Sequence, residues 1–360
     1  MPHIKRVTFR EIIRPLRTAF TTSLGSKQII RNMLIEVMLD DGVTGRGEAP
    51  TSFTRQNETI PRMAHILSAC AVSLKGVPLE GYGKLISRFR AVHPEGLMTI
   101  SALEVALFRA FLESRGIDEW THWGGRLKEI ETDITLPFLF EREPLRKWIR
   151  YGLKRGFRVF KVKVSGDVEK DRAFLALVRS LLQERETPFA LRLDGNQGYT
   201  PGDALSLLDQ LTKERYPVQL FEQPVAKGDL EGLKRVKEGS PVPVIADEAV
   251  ETAAQLERIV DRECAHGVNL KIAKSGIAES AKIIDLAGRA GMKLMMGCMT
   301  ETMTGLSAAI CMAAGQGVFE FIDLDSIHFL HHRNRYNDIS VKGPVYMIRG
   351  KMEDERGKQG

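Results

Sequence analysis

The sequence predicts an eight-stranded β/α barrel preceded by a smaller α+β region. Over roughly the first 120 residues the periodicity changes from strand-like to helical. After Gly125, eight short apolar segments alternate with amphipathic stretches, at a spacing of roughly 25–30 residues. Such alternation favours parallel strands with helices outside them. A doubly wound open sheet is the alternative, but no G-x-G-x-x-G follows the first strand.

The N-terminal region begins as a strand, a turn and a longer strand. Residues 33–39 form an apolar, strand-like run, and Asp41-Gly42 is a turn signal after it. Between residues 60 and 112 the apolar positions recur at helical spacing, interrupted by Pro78 and Pro94. We therefore expect a small α+β domain ahead of the barrel.

The barrel prediction depends on eight strands and the helices between them. The predicted strands are residues 134–140, 159–164, 189–193, 218–221, 244–246, 267–270, 293–296 and 319–322. The predicted helices include residues 167–183, 201–211, 230–237, 253–261 and 279–290. From about Arg333 the pattern is strand-like again and ends in a charged tail.

Composition excludes several classes of protein. Hydrophobic residues make up 43% of the 360 positions, enough for a large buried core. The formal net charge is +6, but basic and acidic residues are interleaved, so we expect no nucleic-acid partner. No apolar run is long enough to cross a bilayer, and no signal core stands at the N-terminus. With only four scattered cysteines, a cytoplasmic protein with no membrane partner is expected.

Charged side chains stand at the carboxyl ends of predicted strands, where barrel active sites are built. Three successive strands end in Asp194, Glu222 and Asp247. One carboxylate at such a position is more often a helix cap, but three at one mouth repel each other unless a cation lies between them. Carboxylate ligands suit Mg²⁺. The sequence therefore predicts a magnesium site held by these three residues.

Lysines end the strands on either side of the carboxylates. Lys161 and Lys163 are two residues apart, so they point to one face of their strand, and each disfavours the charging of the other. Alone, such a pair would indicate only a solvated strand end. Lys271 lies on the opposite side of the mouth. We expect Lys163 and Lys271 to act on opposite faces of a substrate α-carbon, one removing the proton and the other returning it, while the metal stabilises the enediolate.

Six segments together resemble the motifs of a known group. They are Lys161-Val162-Lys163, Leu193-Asp194-Gly195-Asn196-Gln197, Phe221-Glu222-Gln223-Pro224, Ala246-Asp247-Glu248, Asn269-Leu270-Lys271 and Gly47-Glu48-Ala49-Pro50. The chain resembles the enolase superfamily, in its muconate-lactonising-enzyme-like subgroup, and within that the dipeptide epimerases. The resemblance implies a (β/α)7β TIM-like barrel at residues 126–333 and an α+β capping domain at residues 1–125, to which the C-terminal segment 334–360 returns.

The resemblance also implies a substrate. Asp323-Leu324-Asp325 is similar to the family's D-x-D motif, which holds the free α-ammonium of a dipeptide, and two carboxylates in one pocket favour a cationic partner. By the same resemblance, Thr135, Lys161, Cys298 and Thr300 contact substrate. The implied activity is a Mg²⁺-dependent dipeptide epimerase that inverts the α-carbon of the C-terminal residue through an enediolate, in a protein that could be a homo-oligomer.

Two departures from the family pattern bear on substrate choice. Ala-Glu epimerases carry an arginine in the capping loop, where this chain has Gly25, so Ala-Glu specificity is not expected. Leu24 and Phe53 nearby favour a non-acidic second residue, whereas Lys27 and Arg55 favour an acidic one. In addition, Gly276 stands alone where the family usually has two glycines.

Other reactions remain open at this point. Within the superfamily they are o-succinylbenzoate synthesis, N-acylamino acid racemisation and lactone cycloisomerisation. Asp323 and Asp325 argue against synthase or cycloisomerase chemistry, because those substrates have no ammonium to bind. A non-catalytic nucleic-acid-binding protein is suggested only by the basic pI of about 9.1, and it gives no reason for the three strand-end carboxylates.

Overall fold

The N-terminal region pairs an antiparallel sheet with a layer of helices. The computed structural model describes residues 1–22, 25–184, 187–331 and 335–350, so Leu24, which was expected to favour a non-acidic substrate residue, lies outside the described residues. The sheet has the order β1-β2-β3, from β1 (Ile4–Thr22), β2 (Gly25–Leu39) and β3 (Thr44–Ala49). The helices are α1 (Ile60–Leu74), α2 (Tyr82–Val92), α3 (Leu97–Ser114) and the short α4 (Glu119–His122). The interruptions at Pro78 and Pro94 fall between helices, as predicted.

The sheet has one strand more than the sequence predicted. β3 has no apolar run because two of its six residues are glycines, Gly45 and Gly47. Both lie against the backbone of α3, and a Cβ at either position would overlap the carbonyl oxygen of Ala106 or Ala102. Close approach of this helix, not apolar alternation, therefore determines the composition of β3.

The eight predicted barrel strands are all present and parallel. After the short β4 (Glu129–Glu131), they are β5 (Ile134–Leu136), β6 (Val159–Lys163), β7 (Ala190–Asp194), β8 (Val218–Glu222), β9 (Val244–Ala246), β10 (Gly267–Leu270), β11 (Lys293–Gly297) and β12 (Phe321–Asp323). They are hydrogen-bonded in sequence order. The two end strands approach each other where the Asp133 N–H donates to the Ile322 carbonyl at 3.4 Å, so the sheet curls into a nearly closed barrel.

Helices alternate with these strands. They are α5 (Arg142–Lys154), α6 (Val168–Gln183), α7 (Pro201–Lys213), α8 (Leu230–Gly239), α9 (Ala253–Asp261), α10 (Ile272–Arg289) and α11 (Met303–Gln316). The prediction placed the start of α10 at residue 279, but the helix begins directly after β10 and is interrupted at Gly276, which has a φ of 74°. That interruption hides the helical period of the first turn. None of the helices in the described residues has both the length and the apolarity needed to cross a bilayer.

The C-terminal residues form a second small sheet. Its strands are β13 (Arg335–Tyr336), β14 (Ile339–Lys342) and β15 (Val345–Ile348), and β15 pairs with β4 in the order β13-β14-β15-β4. The expected strand-like pattern is therefore present. The charged tail, residues 351–360, lies outside the described residues. The division into 1–125, 126–333 and 334–360 stays a prediction.

Two apolar cores support the site. One fills the cap between its sheet and α1–α3, and the larger one lies between the barrel strands and their helices. Inside the barrel, Leu220, Ile245 and Met295 are fully buried and pack together with Phe321. Because these side chains fill the barrel interior, the open space is left at the carboxyl ends of the strands, beneath the cap.

Candidate active site

The barrel register brings the predicted metal and lysine residues to one mouth. Lys163 lies opposite Asp194, and Asp194 lies opposite Glu222, as Cα partners on neighbouring strands. Asp247 and Lys271 directly follow the next two strands, β9 and β10. All five side chains are at most 8% exposed. Parallel strands that end level with one another thus concentrate charge that lies far apart in sequence.

The lysines lie directly on the carboxylates. Lys161 Nζ is 3.0 Å from Asp194 Oδ2 and 2.6 Å from Glu222 Oε2. Lys163 Nζ donates to Asp194 Oδ2 at 2.5 Å. On the other side, Lys271 Nζ donates to Asp247 Oδ2 at 2.6 Å. Lys163 and Lys271 therefore face the same charged cluster from β6 and β10, which are four strands apart in an eight-stranded barrel.

The lysine pair on β6 is more strongly compensated than the sequence suggested. Burial lowers the pKa of Lys161, but Asp194, Asp323 and Glu222 outweigh burial and raise that pKa well above its ordinary value. Lys161 is therefore an ammonium ion. The sequence predicted that each lysine would disfavour the charged form of the other. Lys161 nevertheless stays charged, because three carboxylates surround it.

The carboxylates divide into two groups. Burial raises the pKa of Asp194 and of Asp247, but nearby lysines reverse this effect and both pKa values fall below the ordinary range. Burial and the negative charge of Asp194 raise the pKa of Glu222 to about 8. Burial and Asp247 likewise raise the pKa of Glu248 to about 7. Negative charge in the mouth therefore exceeds what its cations neutralise.

A count of the charged groups agrees with this excess. The mouth holds seven carboxyl groups, of Asp133, Asp194, Glu222, Asp247, Glu248, Asp323 and Asp325, and five cationic side chains, of Lys161, Lys163, Arg192, Lys271 and Lys274. Full ionisation of these barrel groups would leave two more negative than positive charges; Lys27 of the cap, which also lines the cavity, is a further cation. Among the described residues, buried oxygens of Asn196, Glu248 and Asn269 also have no hydrogen-bond partner. Glu222 Oε2 has none either, although Lys161 Nζ is within ionic contact of it. This donor set fits a divalent cation with oxygen ligands.

The tightest carboxylate group, however, is not the predicted triad. Among the described residues, Asp133, Asp323 and Asp325 are the group in which one carboxylate oxygen from each residue lies within 4.8 Å of the others. Asp133 accepts from Arg192 at 2.8 Å, and Asp323 accepts from Lys161 at 2.6 Å. Cationic side chains of the protein thus already contact this group, which fits recognition of an ammonium ion. Asp194, Glu222 and Asp247 are kept further apart, with lysines between them.

The predicted substrate contacts line the cavity between the barrel and the cap. Thr135, Cys298 and Thr300 are on its wall, as are Asp323 and Asp325. The Thr135 N–H donates to Asp325 Oδ2 at 2.5 Å. Burial, together with Asp323, raises the pKa of Asp325 to about 7. Asp194 and Glu222 do not line this cavity; they are fully buried and in contact with Lys161.

The backbone after β7 and β8 is held in an unusual conformation. Asn196, Gln197 and Gln223 have φ values of 40°, 70° and 33°. The Gln223 side chain accepts from the Asp247 N–H at 2.9 Å and the Ala249 N–H at 3.1 Å. It therefore ties the end of β8 to the end of β9 and fixes Glu222 relative to Asp247. Left-handed non-glycine residues concentrate at functional sites.

Sequence reasoning missed three charged residues of the site. Lys274 donates to Asp247 Oδ1 at 2.5 Å, and its position three residues after Lys271 on a helix was an available signal. Arg192 and Asp133 form a buried ion pair. Arg192 lies two residues before Asp194 on the same strand, so period-two alternation could have identified it. Nothing in the local sequence marks Asp133.

The comparisons with known proteins agree with this geometry. The family model described as enolase C-terminal domain-like matches residues 145–357. An L-Ala-D/L-amino acid epimerase of Populus trichocarpa is 32% identical, over 99% of this chain and 84% of its own length. An aromatic dipeptide epimerase of Herpetosiphon aurantiacus is also 32% identical, over 91% of each chain.

A solved structure is similar over almost the whole length. The dipeptide epimerase of Enterococcus faecalis, complexed with Mg and the dipeptide L-Leu-L-Tyr, is 27% identical, with a TM-score of 0.88. The match covers 97% of this chain and 98% of that one. Both the barrel and the cap are therefore shared. The chain belongs to the enolase superfamily, in the family of the dipeptide epimerases.

Proposed function

We propose that the protein is a Mg²⁺-dependent dipeptide epimerase that inverts the α-carbon of the C-terminal residue by 1,1-proton transfer between two lysines. One observation carries the proposal: Lys163 and Lys271 face a single cluster of buried carboxylates from β6 and β10, four strands apart in the barrel. The epimerase names of the relatives support the reaction class.

Asp194, Glu222 and Asp247 are the proposed metal ligands. Their full burial, the uncompensated negative charge and the unpartnered oxygens around them favour this role. When bound, Mg²⁺ would supply positive charge that stabilises the enediolate form of the substrate carboxylate. The bound Mg of the Enterococcus faecalis epimerase is consistent with the proposal.

The lysines carry the proton steps. Lys163 takes the α-proton from one face of the substrate carbon, and Lys271 delivers a proton to the opposite face; the reverse direction exchanges their roles. Lys161 remains an ammonium ion because three carboxylates raise its pKa, so it orients and neutralises and is not a base. Cys298 is a neutral thiol, since burial and the two aspartates of β12 and the loop after it raise its pKa well above the ordinary value.

Asp323 and Asp325 would bind the dipeptide ammonium. Both are about 4% exposed and line the cavity. A cationic ligand would favour the charged form of Asp325, whose pKa is raised in its absence. Thr135 holds Asp325 in place, and Thr300 would offer a hydroxyl to the substrate. Because Gly25 stands where Ala-Glu epimerases have an arginine, we further propose that the enzyme is not restricted to Ala-Glu.

A screen in heavy water tests this proposal. The enzyme with Mg²⁺ is incubated separately with mixtures of L,L-dipeptides and with N-acylamino acids, and mass spectrometry follows deuterium at the α-carbon. We expect deuterium in the C-terminal residue together with formation of the L,D-epimer. Exchange confined to N-acylamino acids would instead favour the racemase alternative. No exchange with any dipeptide would contradict the proposal.

A further inference from the structure

The cap contributes a distinct wall to the substrate cavity. Its lining residues from the N-terminal region include Phe20, Thr22, Thr51 and Phe53, together with Lys27. Among the described residues of this wall, Lys27 is the one charged side chain. A substrate group that reaches the cap would therefore meet two phenylalanine rings and uncharged hydroxyl side chains, with a single amino group among them.

Lys27 is oriented into the cavity by neutral partners. Its Nζ donates to Thr300 Oγ1 at 2.5 Å and to the Thr51 carbonyl at 3.3 Å, and it lies 5.5 Å from the centre of the Phe53 ring. Over the described ranges of the chain, no carboxylate forms an ion pair with it. The lysines of the barrel mouth, by contrast, each contact an aspartate. Burial without a counter-charge lowers the pKa of Lys27 to about 8.

The other cation of the capping loops is not available to a ligand. Arg55 forms an ion pair with Glu251, a residue that follows β9, and both side chains are largely buried. The charge of Arg55 is thus neutralised across the boundary between cap and barrel. In the sequence, Lys27 and Arg55 both favoured an acidic substrate. In the described part of the structure, Lys27 is the one of the two whose charge has no carboxylate partner.

The proposed reaction determines which part of the substrate faces Lys27. The α-carboxylate is held on the side of Asp194, Glu222 and Asp247, and the nitrogen side lies towards Asp323. The barrel interior is filled by buried apolar side chains. The side chain of the epimerised residue is therefore left to project towards the cap. Lys27 donates to Thr300, which follows β11. It therefore lies above the part of the mouth between Lys271 and Asp323.

The packing of Phe53 against Gly25 leaves little room for a larger side chain at position 25. A Cβ at Gly25 would lie 2.9 Å from the Phe53 ring, which would have to shift to accept any larger residue. With Phe53 packed over Gly25, an arginine would fit here only if the ring moved. The same ring lies beside Lys27, with its centre 5.5 Å from the amino nitrogen.

We infer that Lys27 binds a carboxylate in the side chain of the substrate's C-terminal residue, so that the enzyme prefers dipeptides that end in an acidic residue. The inference rests on the proposed epimerase function and departs from the non-acidic preference suggested by Gly25. It concerns the charge at the end of that side chain and places no restriction on the N-terminal residue.

The test compares L-Ala-L-Glu with L-Ala-L-Gln, which match in length and shape but differ in charge. For the parent enzyme with Mg²⁺ we expect kcat/KM to be about ten- to a hundred-fold higher for the Glu dipeptide, the range of a charge-assisted hydrogen bond. In Lys27→Met the ratio should fall to about one, and in Lys27→Arg it should remain well above one. Lys170→Met, an exposed lysine on α6, should keep the parental ratio.

The outcomes separate the inference from the proposed function. If the parent epimerises both dipeptides with a ratio near or below one, or if Lys27→Met keeps the parental ratio, Lys27 does not select charge and the inference fails alone. If the parent exchanges the α-proton of no dipeptide, the proposed function fails. Should Lys27→Met be inactive, the parental ratio and the Lys27→Arg ratio still decide.

Discussion

Every buried lysine at the barrel mouth touches an aspartate that belongs to a different strand or loop. Lys161 contacts Asp323 at 2.6 Å across 162 residues of sequence. The strand-end positions of these residues could be predicted, because parallel strands of a barrel end at one face. Their pairings could not, since they depend on side-chain reach across the mouth. Asp133 was missed for the same reason: its partner Arg192 lies 59 residues away.

The proposed ammonium pocket can be tested at Asp323. Asp323→Asn removes a charge-assisted contact, which is typically worth about 1.5–3 kcal/mol. We expect kcat/KM for a free dipeptide to fall about ten- to a hundred-fold or more. An N-acetylated dipeptide has no ammonium and should be a poor substrate of the parent enzyme. Equal kcat/KM for the free and acetylated forms would contradict the pocket, while proton abstraction itself could stand.

The pKa of Lys27 predicts how the substrate preference depends on pH. Burial lowers its pKa to about 8, and its near neighbours, Thr300, Thr51 and Phe53, are neutral. Below that pH the amine is a cation, and above it the charge is lost. The preference for L-Ala-L-Glu over L-Ala-L-Gln in kcat/KM should therefore fall by up to about tenfold between pH 7 and pH 9. A ratio that is constant over this interval would show that Lys27 is not the group responsible.

At the scale of single elements, α10 explains the lone glycine for which the sequence offered no role. Gly276 has a φ of 74°, and the helix changes direction there. The cap meets this point: Arg90 donates to the Ser275 carbonyl at 2.7 Å, and Glu104 accepts from the Ala278 N–H at 2.9 Å. The turn between β10 and this break carries Lys271 and Lys274. The buried Arg90–Glu104 pair therefore helps to position both lysines.

Gly276→Ala should destabilise the protein. A Cβ there would overlap Glu104 Oε2 and Arg90 Nη2, and alanine is strained at this φ. We expect a loss of at least about 1–3 kcal/mol in the free energy of unfolding, measured with urea. Gly288→Ala in the same helix is the matched control, because nothing lies near its Cβ; it should be neutral or stabilising by up to about 1 kcal/mol. Similar effects of the two substitutions would contradict this role of Gly276.

At the scale of the whole molecule, cap residues hydrogen-bond to the loop of residues 298–302, which joins β11 to α11. Asn32 on β2 donates to the Thr300 carbonyl at 2.8 Å, and Glu48 on β3 accepts from the Thr302 N–H at 2.9 Å. Glu48 also accepts from the Gly305 N–H, so a cap residue caps the barrel helix α11. The order of domains was predictable from the change of periodicity. These hydrogen bonds between cap and barrel could not be predicted, because they link segments more than 250 residues apart.

The proposed Mg²⁺ dependence requires the assembled mouth. Three buried carboxylates from three strands should bind Mg²⁺ only in the folded protein. We expect excess chelator to abolish epimerisation, and added Mg²⁺ to restore it. Mg²⁺ should also raise the Tm of chelator-treated protein, because a ligand that binds only the native state stabilises it. Chelator already saturated with Mg²⁺ is the control. Full activity in excess free chelator would exclude the metal site.

The proposed mechanism requires one lysine on each face of the substrate carbon. Lys163 and Lys271 approach the carboxylate cluster from β6 and β10. α-Proton exchange in heavy water tests this placement of the two lysines. The variants Lys163→Ala and Lys271→Ala are each given the L,L- and the L,D-dipeptide separately. Mass spectrometry follows the deuterium, and chiral chromatography follows inversion.

Neither variant should epimerise, because inversion needs both lysines. Each should exchange the proton of one epimer only, and the two variants should differ in which epimer that is. Lys170→Ala, on the exposed face of α6, should behave as the parent does. Epimerisation by both variants at the parental rate, or exchange of the same epimer by both, would contradict the two-lysine account.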